Sequence, residues 1–188
     1  MQRCPSYVIG VDDAPFDRAR RGNVPVVGAV FNGARLEGVL KTTVRRDGAN
    51  ATRQLERLIG ESRFASSLQA VLLQGVTLAG FNVVDVPALH AALGLPVVVV
   101  CRREPDLERI RRALLRSVPG GRRKWALIER LPPARACRGV YVQSVGLDSE
   151  TTAKLLDRFA TSSRLPEPVR TAHLIAAAYA EGESRHRA

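Results

Sequence analysis

Two adjacent carboxylates, Asp12 and Asp13, follow the apolar run 7–11. An apolar run of this length is typical of a buried strand, so the pair should lie at the strand's carboxyl end. Carboxylates are costly to hold there unless a cation or several hydrogen-bond donors compensate their charge. Divalent ions held by carboxylates activate water for phosphodiester hydrolysis. Asp12 is therefore predicted as a metal ligand, and Asp13, on the opposite face of the strand, as its supporting partner.

Two further carboxylates are candidates for the same metal site. Asp47 lies between the third predicted strand and the first predicted helix, although Asp-Gly turn chemistry explains its position equally well. Asp85 follows the loop after the fourth predicted strand, but a position two residues before Pro87 also suits a helix N-cap. The predicted catalytic residues are Asp12, Asp13, Asp47 and Asp85. Of these, Asp12, Asp47 and Asp85 are predicted to bind Mg²⁺ or Mn²⁺.

The charge balance indicates a polyanionic partner for such a site. Lys and Arg number 29 against 18 Asp and Glu, which gives a formal net charge of +11. Most of the excess is Arg, whose planar fork suits bidentate phosphate contacts, and this favours DNA or RNA. A basic composition alone specifies no site. The residues predicted to contact nucleic acid are Lys41, Phe81, Asn82, Arg102, Arg103, Arg170 and His173.

Four of these candidates are placed by the predicted elements. Arg102 and Arg103 follow a valine strand and should share the edge of the sheet with Asp12, as phosphate or transition-state contacts. Arg170 and His173 are three residues apart on the last helix, so they share a face. The alternatives stay open: the arginines could form a solvated face, and a histidine on an alanine-rich helix is often packed or capping.

The other candidates concern recognition of the strand and its base. Phe81 and Asn82 could stack on and hydrogen-bond to a base turned out of the helix, although a core aromatic explains Phe81 as well. Lys41 and the basic run 122–124 are predicted to contact the backbone without reading its sequence.

The order of elements predicts a mixed α/β fold. Asn32-Gly33 joins the second and third strands as a hairpin. Strands are predicted at 7–12, 24–31, about 35–45, 68–73, 97–100, 125–128 and 140–142, and helices at 50–64, 87–93, 105–118, from 149 and from 168 to 181. A three-strand meander followed by alternating helices and strands is the order of the ribonuclease H-like fold. A C-terminal strand pair and two helices are appended to it.

Composition bounds the remaining possibilities. The 188 residues, 45% of them hydrophobic, suit a single domain over 1–188. Cys4, Cys101 and Cys137 are too widely spaced for a disulfide framework or a zinc cluster. The chain has no apolar stretch that could serve as a signal or membrane span, so a cytoplasmic protein with no membrane partner is expected. It also lacks a Gly-x-Gly-x-x-Gly motif and a phosphate loop, which disfavours a nucleotide-dependent enzyme.

Several segments together resemble the endonuclease dU family, a relative of the endonuclease V group of deaminated-base nucleases. The segments are Ile9–Phe16, Asp47-Gly48 with Ala51-Thr52, Gly75–Asp85, Pro96 with its valine run, and Pro166–His173. The resemblance covers nearly the whole chain and implies a ribonuclease H-like fold.

The resemblance to the endonuclease V group also bears on the site. Gly10-Val11-Asp12 matches that group's Gly-x-Asp, and 166–172 matches its late Pro-x-Pro-x-Arg-x-Ala segment. Two features depart from the group. Gln74-Gly75 stands where the group has Asp-Gly, and no Pro-Tyr-Ile-Pro wedge is present. The first departure leaves one metal ligand unmatched, and the second leaves the substrate undefined.

Two functions are compatible with the sequence. The first is a divalent-metal-dependent endonuclease, a hydrolase that cleaves nucleic acid near uracil- or hypoxanthine-type deaminated bases, as in DNA repair. The second is a non-catalytic nucleic-acid-binding module that keeps the fold with an incomplete acidic site, which Gln74 favours. The choice between DNA and RNA, the base, the cleavage position and a homodimer stay open.

Overall fold

The computed structural model describes residues 3–19 and 21–184. The strands are β1 (Tyr7–Asp13), β2 (Asn23–Asn32), β3 (Arg35–Arg45), β4 (Ala70–Gln74), β5 (Thr77–Leu78), β6 (Asn82–Val83), β7 (Val97–Cys101), β8 (Arg135–Cys137) and β9 (Val140–Val145). The helices are α1 (Ala51–Gly60), α2 (Val86–Leu93), α3 (Leu107–Ser117), α4 (Gly121–Glu129), α5 (Ser149–Phe159) and α6 (Glu167–Glu181).

Seven strands form one mixed sheet in the order β3-β2-β1-β4-β7-β9-β8. The first three form the predicted antiparallel meander, and β1, β4 and β7 run parallel to one another. Parallel strands end at one edge of the sheet, so the residues that follow Val11, Leu73 and Val99 lie side by side there. This is the ribonuclease H-like arrangement predicted from the order of elements.

The central strands are apolar throughout because both faces of the sheet are covered. Val97–Val100 on β7 are buried, as are Val8, Ile9 and Val11 on β1. Continuous runs of β-branched residues are typical of such strands. Helix α6 packs against β1 and β2 on one face, which brings the C-terminal segment of the chain to the end of β1.

One predicted element is wrong. Residues 125–128 were predicted as a strand but lie in helix α4, and the C-terminal strand pair is instead β8 with β9. The buried residues of α4 are Gly121, Lys124 and Ile128, which recur at helical spacing. The apolar run Trp125–Ile128 hides this period because one of the buried positions is a lysine.

The helices also bear on the expected absence of a membrane partner. In the part of the chain that the structure describes, no helix combines the length and apolar character that a bilayer crossing requires.

Candidate active site

Asp12 lies near the end of β1 with 4% of its surface exposed. Its Oδ2 is 2.7 Å from Nδ1 of His173 on α6, so an ionised Asp12 accepts a hydrogen bond from the imidazole. Burial raises the pKa of the Asp12 carboxyl, and the His173 hydrogen bond and charge oppose that rise. The structure therefore brings together two residues that the sequence assigned to different roles.

Gly10 explains why α6 can approach β1 this closely. A Cβ on Gly10 would lie 2.1 Å from the carbonyl carbon of Pro168, in the first turn of α6. Only a residue without a side chain allows the backbone of a helix at that distance. Asp12 is two residues further along the strand, so its side chain emerges on the same face, toward α6.

Gln74 at the end of β4 shares that face. Gly10 pairs with Leu72 in the parallel register, and Asp12 and Gln74 each come two residues later on the same face. Among the described residues, Oε1 of Gln74 is a buried acceptor with no hydrogen-bond partner. A buried polar atom without a hydrogen-bond partner is energetically costly. A donor or a cation bound next to this oxygen would therefore stabilise it.

Asp13 faces away from α6 and contacts the loop between β5 and β6. Its Oδ2 accepts a hydrogen bond from the Ala79 amide at 2.9 Å. Burial, and then the neighbouring charge of Asp12, raise the pKa of the Asp13 carboxyl to about 7. A carboxylate whose pKa is raised by burial and by a neighbouring carboxylate would be stabilised in its ionised form by a bound cation.

Asp47 contacts the same loop from the other side. Its Oδ1 accepts a hydrogen bond from the Phe81 amide at 2.8 Å, and its Oδ2 is 3.2 Å from Nε of Arg46. A Cβ on Gly80 would lie 2.5 Å from Oδ1 of Asp47, and Gly80 has φ +86, so a glycine is required there. Asp47 therefore holds the loop that Asp13 also contacts.

Asp85 is an N-cap rather than a member of the acidic cluster. Its Oδ1 accepts from the Ala88 amide at 3.1 Å at the start of α2, and its Oδ2 is 3.0 Å from Nη1 of Arg130. In residues 3–19 and 21–184, no three His, Cys, Asp or Glu side chains converge closely enough to hold a metal ion. The predicted three-carboxylate set Asp12, Asp47 and Asp85 is thus not assembled.

The predicted base-recognition pair is largely internal. Asn82 has no exposed surface, and its amide donates to the Arg45 carbonyl and to Asn50 while accepting from the Ala51 amide. It cannot reach a bound strand in this conformation, so the structure does not support the predicted contact with nucleic acid. Phe81 is half-buried and packs with the apolar residues of α3 and α4, which agrees with the core-aromatic alternative.

The basic candidates lie around the sheet edge in different environments. Arg102 is close enough for its charge to lower the pKa of Asp12, and Arg103 next to it is exposed. Arg170 forms an ion pair with Glu167 at 3.1 Å. Lys41 on β3 donates a hydrogen bond to the Tyr179 hydroxyl at 2.8 Å. In the register of the sheet, Lys41 lies level with Asp12 and two strands away from it.

The oxygen atoms around Asp12 suit a hard divalent cation. Asp12 and Oε1 of Gln74 are oxygen donors on one face of the sheet edge, and Asp13 lies next to them on the opposite face. Mg²⁺ keeps several water molecules and is commonly bound by one or two carboxylates together with substrate phosphates. A site with one carboxylate and one amide oxygen, completed by water and substrate phosphate, therefore fits this ion. The sequence marked Gln74 only as a departure; its adjacency to Asp12 could be inferred from the parallel strands.

An acidic pair at the end of the central strand of a ribonuclease H-like sheet, with basic residues around it, defines a nuclease-like protein. The family model described as Endonuclease dU matches residues 6–180, and the chain belongs to this family.

Relatives of similar length match nearly the whole chain. A UPF0215 protein of Deinococcus radiodurans is 54% identical over 179 residues, which are 95% of this chain and 91% of the relative. A UPF0215 protein of Methanothermobacter thermautotrophicus is 41% identical over 182 residues, which are 95% of this chain and 89% of the relative.

Solved structures show the same fold. A protein of unknown function from Archaeoglobus fulgidus has a TM-score of 0.86 and 34% identity, over 92% of this chain and 97% of that one. Endonuclease V of Ciona intestinalis, solved with DNA that contains an inosine, has a TM-score of 0.55 and 14% identity over 89% and 83% of the two chains. Human endonuclease V has a TM-score of 0.53 and 19% identity over 89% and 81%.

Proposed function

We propose that this protein is a divalent-metal-dependent endonuclease that cleaves a phosphodiester bond in nucleic acid near a deaminated base. The observation that carries the proposal is the position of Asp12. Its buried carboxylate lies beside Asp13 and on the same face as the unpartnered Oε1 of Gln74, at the edge where the parallel strands end. Strongly perturbed pKa values cluster at functional sites.

Asp12 and Gln74 are the residues that would hold Mg²⁺ or Mn²⁺, and Asp13 on the opposite face of β1 would add negative charge beside them. The ion would supply an activated water and relief of charge on the phosphoryl oxygens. The protein's own contribution is to fix both carboxylates in place. The Ala79 amide fixes Asp13, and His173 fixes the orientation of Asp12 through the hydrogen bond at Nδ1.

Basic side chains at the same edge would hold the substrate. Arg102 is close to Asp12, and its guanidinium suits a phosphate oxygen next to the scissile bond. Arg103 is exposed beside it and would contact a neighbouring phosphate. Both would position the strand without reading its bases.

The deaminated-base substrate is proposed from the family and its structural relatives. The Ciona endonuclease V is solved with inosine-containing DNA, and inosine carries hypoxanthine, the base formed when adenine is deaminated. We therefore place this protein in the repair of nucleic acid with uracil- or hypoxanthine-type bases. A homodimer and a cytoplasmic location stay predictions from the sequence.

A non-catalytic nucleic-acid-binding module is the second candidate. The observation that favours it is the lack, within the described ranges, of three acidic or histidine side chains grouped to hold a metal ion. Such a module would bind the same strands and leave them intact.

One cleavage experiment separates the two candidates. Uracil-, hypoxanthine- and abasic-containing strands are incubated with the wild-type protein, with or without Mg²⁺ or Mn²⁺, and compared with Asp12→Asn. Asp157→Asn is the matched control because Asp157 is an exposed carboxylate paired with Arg138 on another part of the surface. We expect metal-dependent cutting by the wild type and Asp157→Asn, and its loss in Asp12→Asn. Intact strands in every reaction would favour the binding module.

A further inference from the structure

A basic cleft lies next to the loop that Asp13 and Asp47 share. The end of β3, the segment before β2 and the connection between α3 and α4 enclose a volume of about 1240 Å³. Its charged lining consists of five basic side chains and one acidic side chain: Arg21, Arg45, Arg46, Arg123, Lys124 and Asp47. A concave surface with this excess of one sign concentrates the field that attracts a polyanion.

Three of these guanidinium groups are available to a ligand. Arg21, Arg45 and Arg123 are exposed, and none has a carboxylate within ion-pair distance among the described residues. Asp47, the acidic side chain in the lining, is already engaged by Arg46 and the Phe81 amide. The cleft therefore presents positive charge that the protein itself does not neutralise.

Lys124 makes the cleft a fixed feature of the fold. It is 5% exposed, and its Nζ donates to the Asp47 carbonyl oxygen at 2.6 Å, which ties α4 to the turn after β3. Arg123 precedes Lys124 on the same helix and lines the cleft together with Arg45. The N-terminus of helix α4 lies in the cleft wall. The partial positive charge of its first turn attracts an anion.

The cleft is linked to the acidic pair through the buried residue Ala79. The Asp47 amide donates to the Ala79 carbonyl oxygen at 2.9 Å, and the Ala79 amide donates to Asp13 at 2.9 Å. One residue of the β5–β6 loop thus contacts the cleft on one side and the acidic pair on the other. Because a single residue separates Asp13 from Asp47, the two sites are close enough for one bound strand to contact both.

We propose that this cleft binds the phosphodiester backbone of the substrate strand beside the scissile phosphate, with Arg45 and Arg123 on successive phosphates. The inference rests on the proposed function for its substrate. It assigns binding to the last residue of β3 and to the first turn of α4, and it makes Asp47 a positioning residue of the cleft wall. The contact is to phosphates, so it is independent of base sequence.

The test measures binding without cleavage. A fluorescent single-stranded oligonucleotide is titrated in EDTA at several salt concentrations, and its anisotropy is recorded. The Arg45→Ala/Arg123→Ala double variant is compared with Arg57→Ala/Arg138→Ala. The second pair removes the same charge from exposed arginines on α1 and beside β8, each of which is paired with a carboxylate.

We expect the cleft double variant to bind at least tenfold more weakly than the control. Its plot of log affinity against log salt should be shallower by about 1.4, because each lost phosphate contact on a single strand removes about 0.7 from the slope. An equal affinity and slope in the two double variants would overturn the proposal. Displacement of the oligonucleotide by micromolar inorganic phosphate would also overturn it, because the cleft would then be a small-anion site.

The result is independent of the cleavage experiment. A protein that binds through the cleft but cuts no strand would uphold this inference and remove the proposed hydrolase function. A protein that cuts strands, and whose cleft double variant binds as tightly as the control, would uphold the proposed hydrolase function and overturn this inference.

Discussion

Nδ1 of His173 lies 2.7 Å from Oδ2 of Asp12, although 161 residues separate the two in the chain. Asp12 belongs to the first strand and His173 to the last helix, so the candidate site is complete only after the C-terminal segment has packed onto the sheet. His173 is also the group whose hydrogen bond most strongly opposes the rise in the Asp12 pKa. The pair should therefore couple the stability of the fold to the charge state of the site.

Removing His173 should expose that coupling. In EDTA at pH 8, His173→Ala should lower the free energy of unfolding by about 1–3 kcal/mol, because a buried carboxylate loses its hydrogen-bond donor. His173→Gln retains an N–H donor and should lose less. Urea unfolding measures both, and a double-mutant cycle with Asp12→Asn should give a coupling energy of about 1 kcal/mol. A coupling energy of zero would show that the contact does not stabilise the folded protein.

The stability of the metal-free protein should fall as the pH rises. The pKa of Asp13 is 3.8 in its ordinary state and about 7 in the folded protein, so between these values the folded state holds more protons than the unfolded state. The free energy of unfolding then decreases with rising pH, by at most about 1.4 kcal/mol per pH unit for this group, and levels off above the folded pKa. Urea unfolding in EDTA from pH 5 to pH 8 measures the slope.

Variants at Asp13 and Asp157 identify the group responsible for this slope. Asp13→Asn should reduce the slope, since the amide does not ionise and still accepts from Ala79, and the raised pKa of Asp12 accounts for the remainder. Asp157→Asn, at an exposed carboxylate, should keep the wild-type slope. A wild-type slope in Asp13→Asn would assign the pH dependence to another group.

Gln74 should contribute to metal binding through its side-chain oxygen. Gln74→Met keeps the length of the side chain and removes the buried acceptor that lacks a partner, so the metal-free protein should be as stable as the wild type or more so. Its Mn²⁺ affinity should fall about tenfold, which reduces the stabilisation at a fixed excess of Mn²⁺ by about 1.4 kcal/mol. Thermal unfolding with and without Mn²⁺ measures the difference.

Gln74→Glu is the complementary variant. A third carboxylate beside Asp12 and Asp13 should destabilise the metal-free protein through repulsion and increase the stabilisation by Mn²⁺. If Mn²⁺ stabilised the wild type, Gln74→Met and Gln74→Glu equally, Gln74 would not be a ligand.

The sequence predicted the elements better than the contacts between them. The strands of the sheet centre were predictable because β1 and β7 are continuous apolar runs, and the β2–β3 hairpin because Asn32-Gly33 is a strong turn signal. Helix α4 was missed because its buried face includes Lys124, whose charge is compensated by a carbonyl oxygen far away in the chain. No local pattern carries information about such a partner.

The same limit applies to the candidate site. Asp12 was predictable from its position after an apolar strand, and the N-cap role of Asp85 from its distance to Pro87. The environment of Asn82 could not be predicted. Its side-chain amide forms hydrogen bonds with the β3–α1 turn, which lies some thirty positions earlier in the chain. The burial of a polar side chain depends on partners that only the folded chain brings together.

Gly10 links two segments, Gly10-Val11-Asp12 and 166–172, that the sequence showed only as separate motifs. Gly10→Ala would place a Cβ 2.1 Å from the Pro168 backbone, so α6 must move and the His173–Asp12 hydrogen bond should be lost. The variant should lose about 3 kcal/mol or more of unfolding free energy, since a helix backbone cannot rotate out of the way as a side chain can. Gly28→Ala on β2 is the matched control. Its new Cβ would meet the end of the flexible Ile9 side chain, so about 1 kcal/mol is expected. Equal unfolding free energies for the two variants in urea would contradict the proposed role of Gly10 in positioning α6.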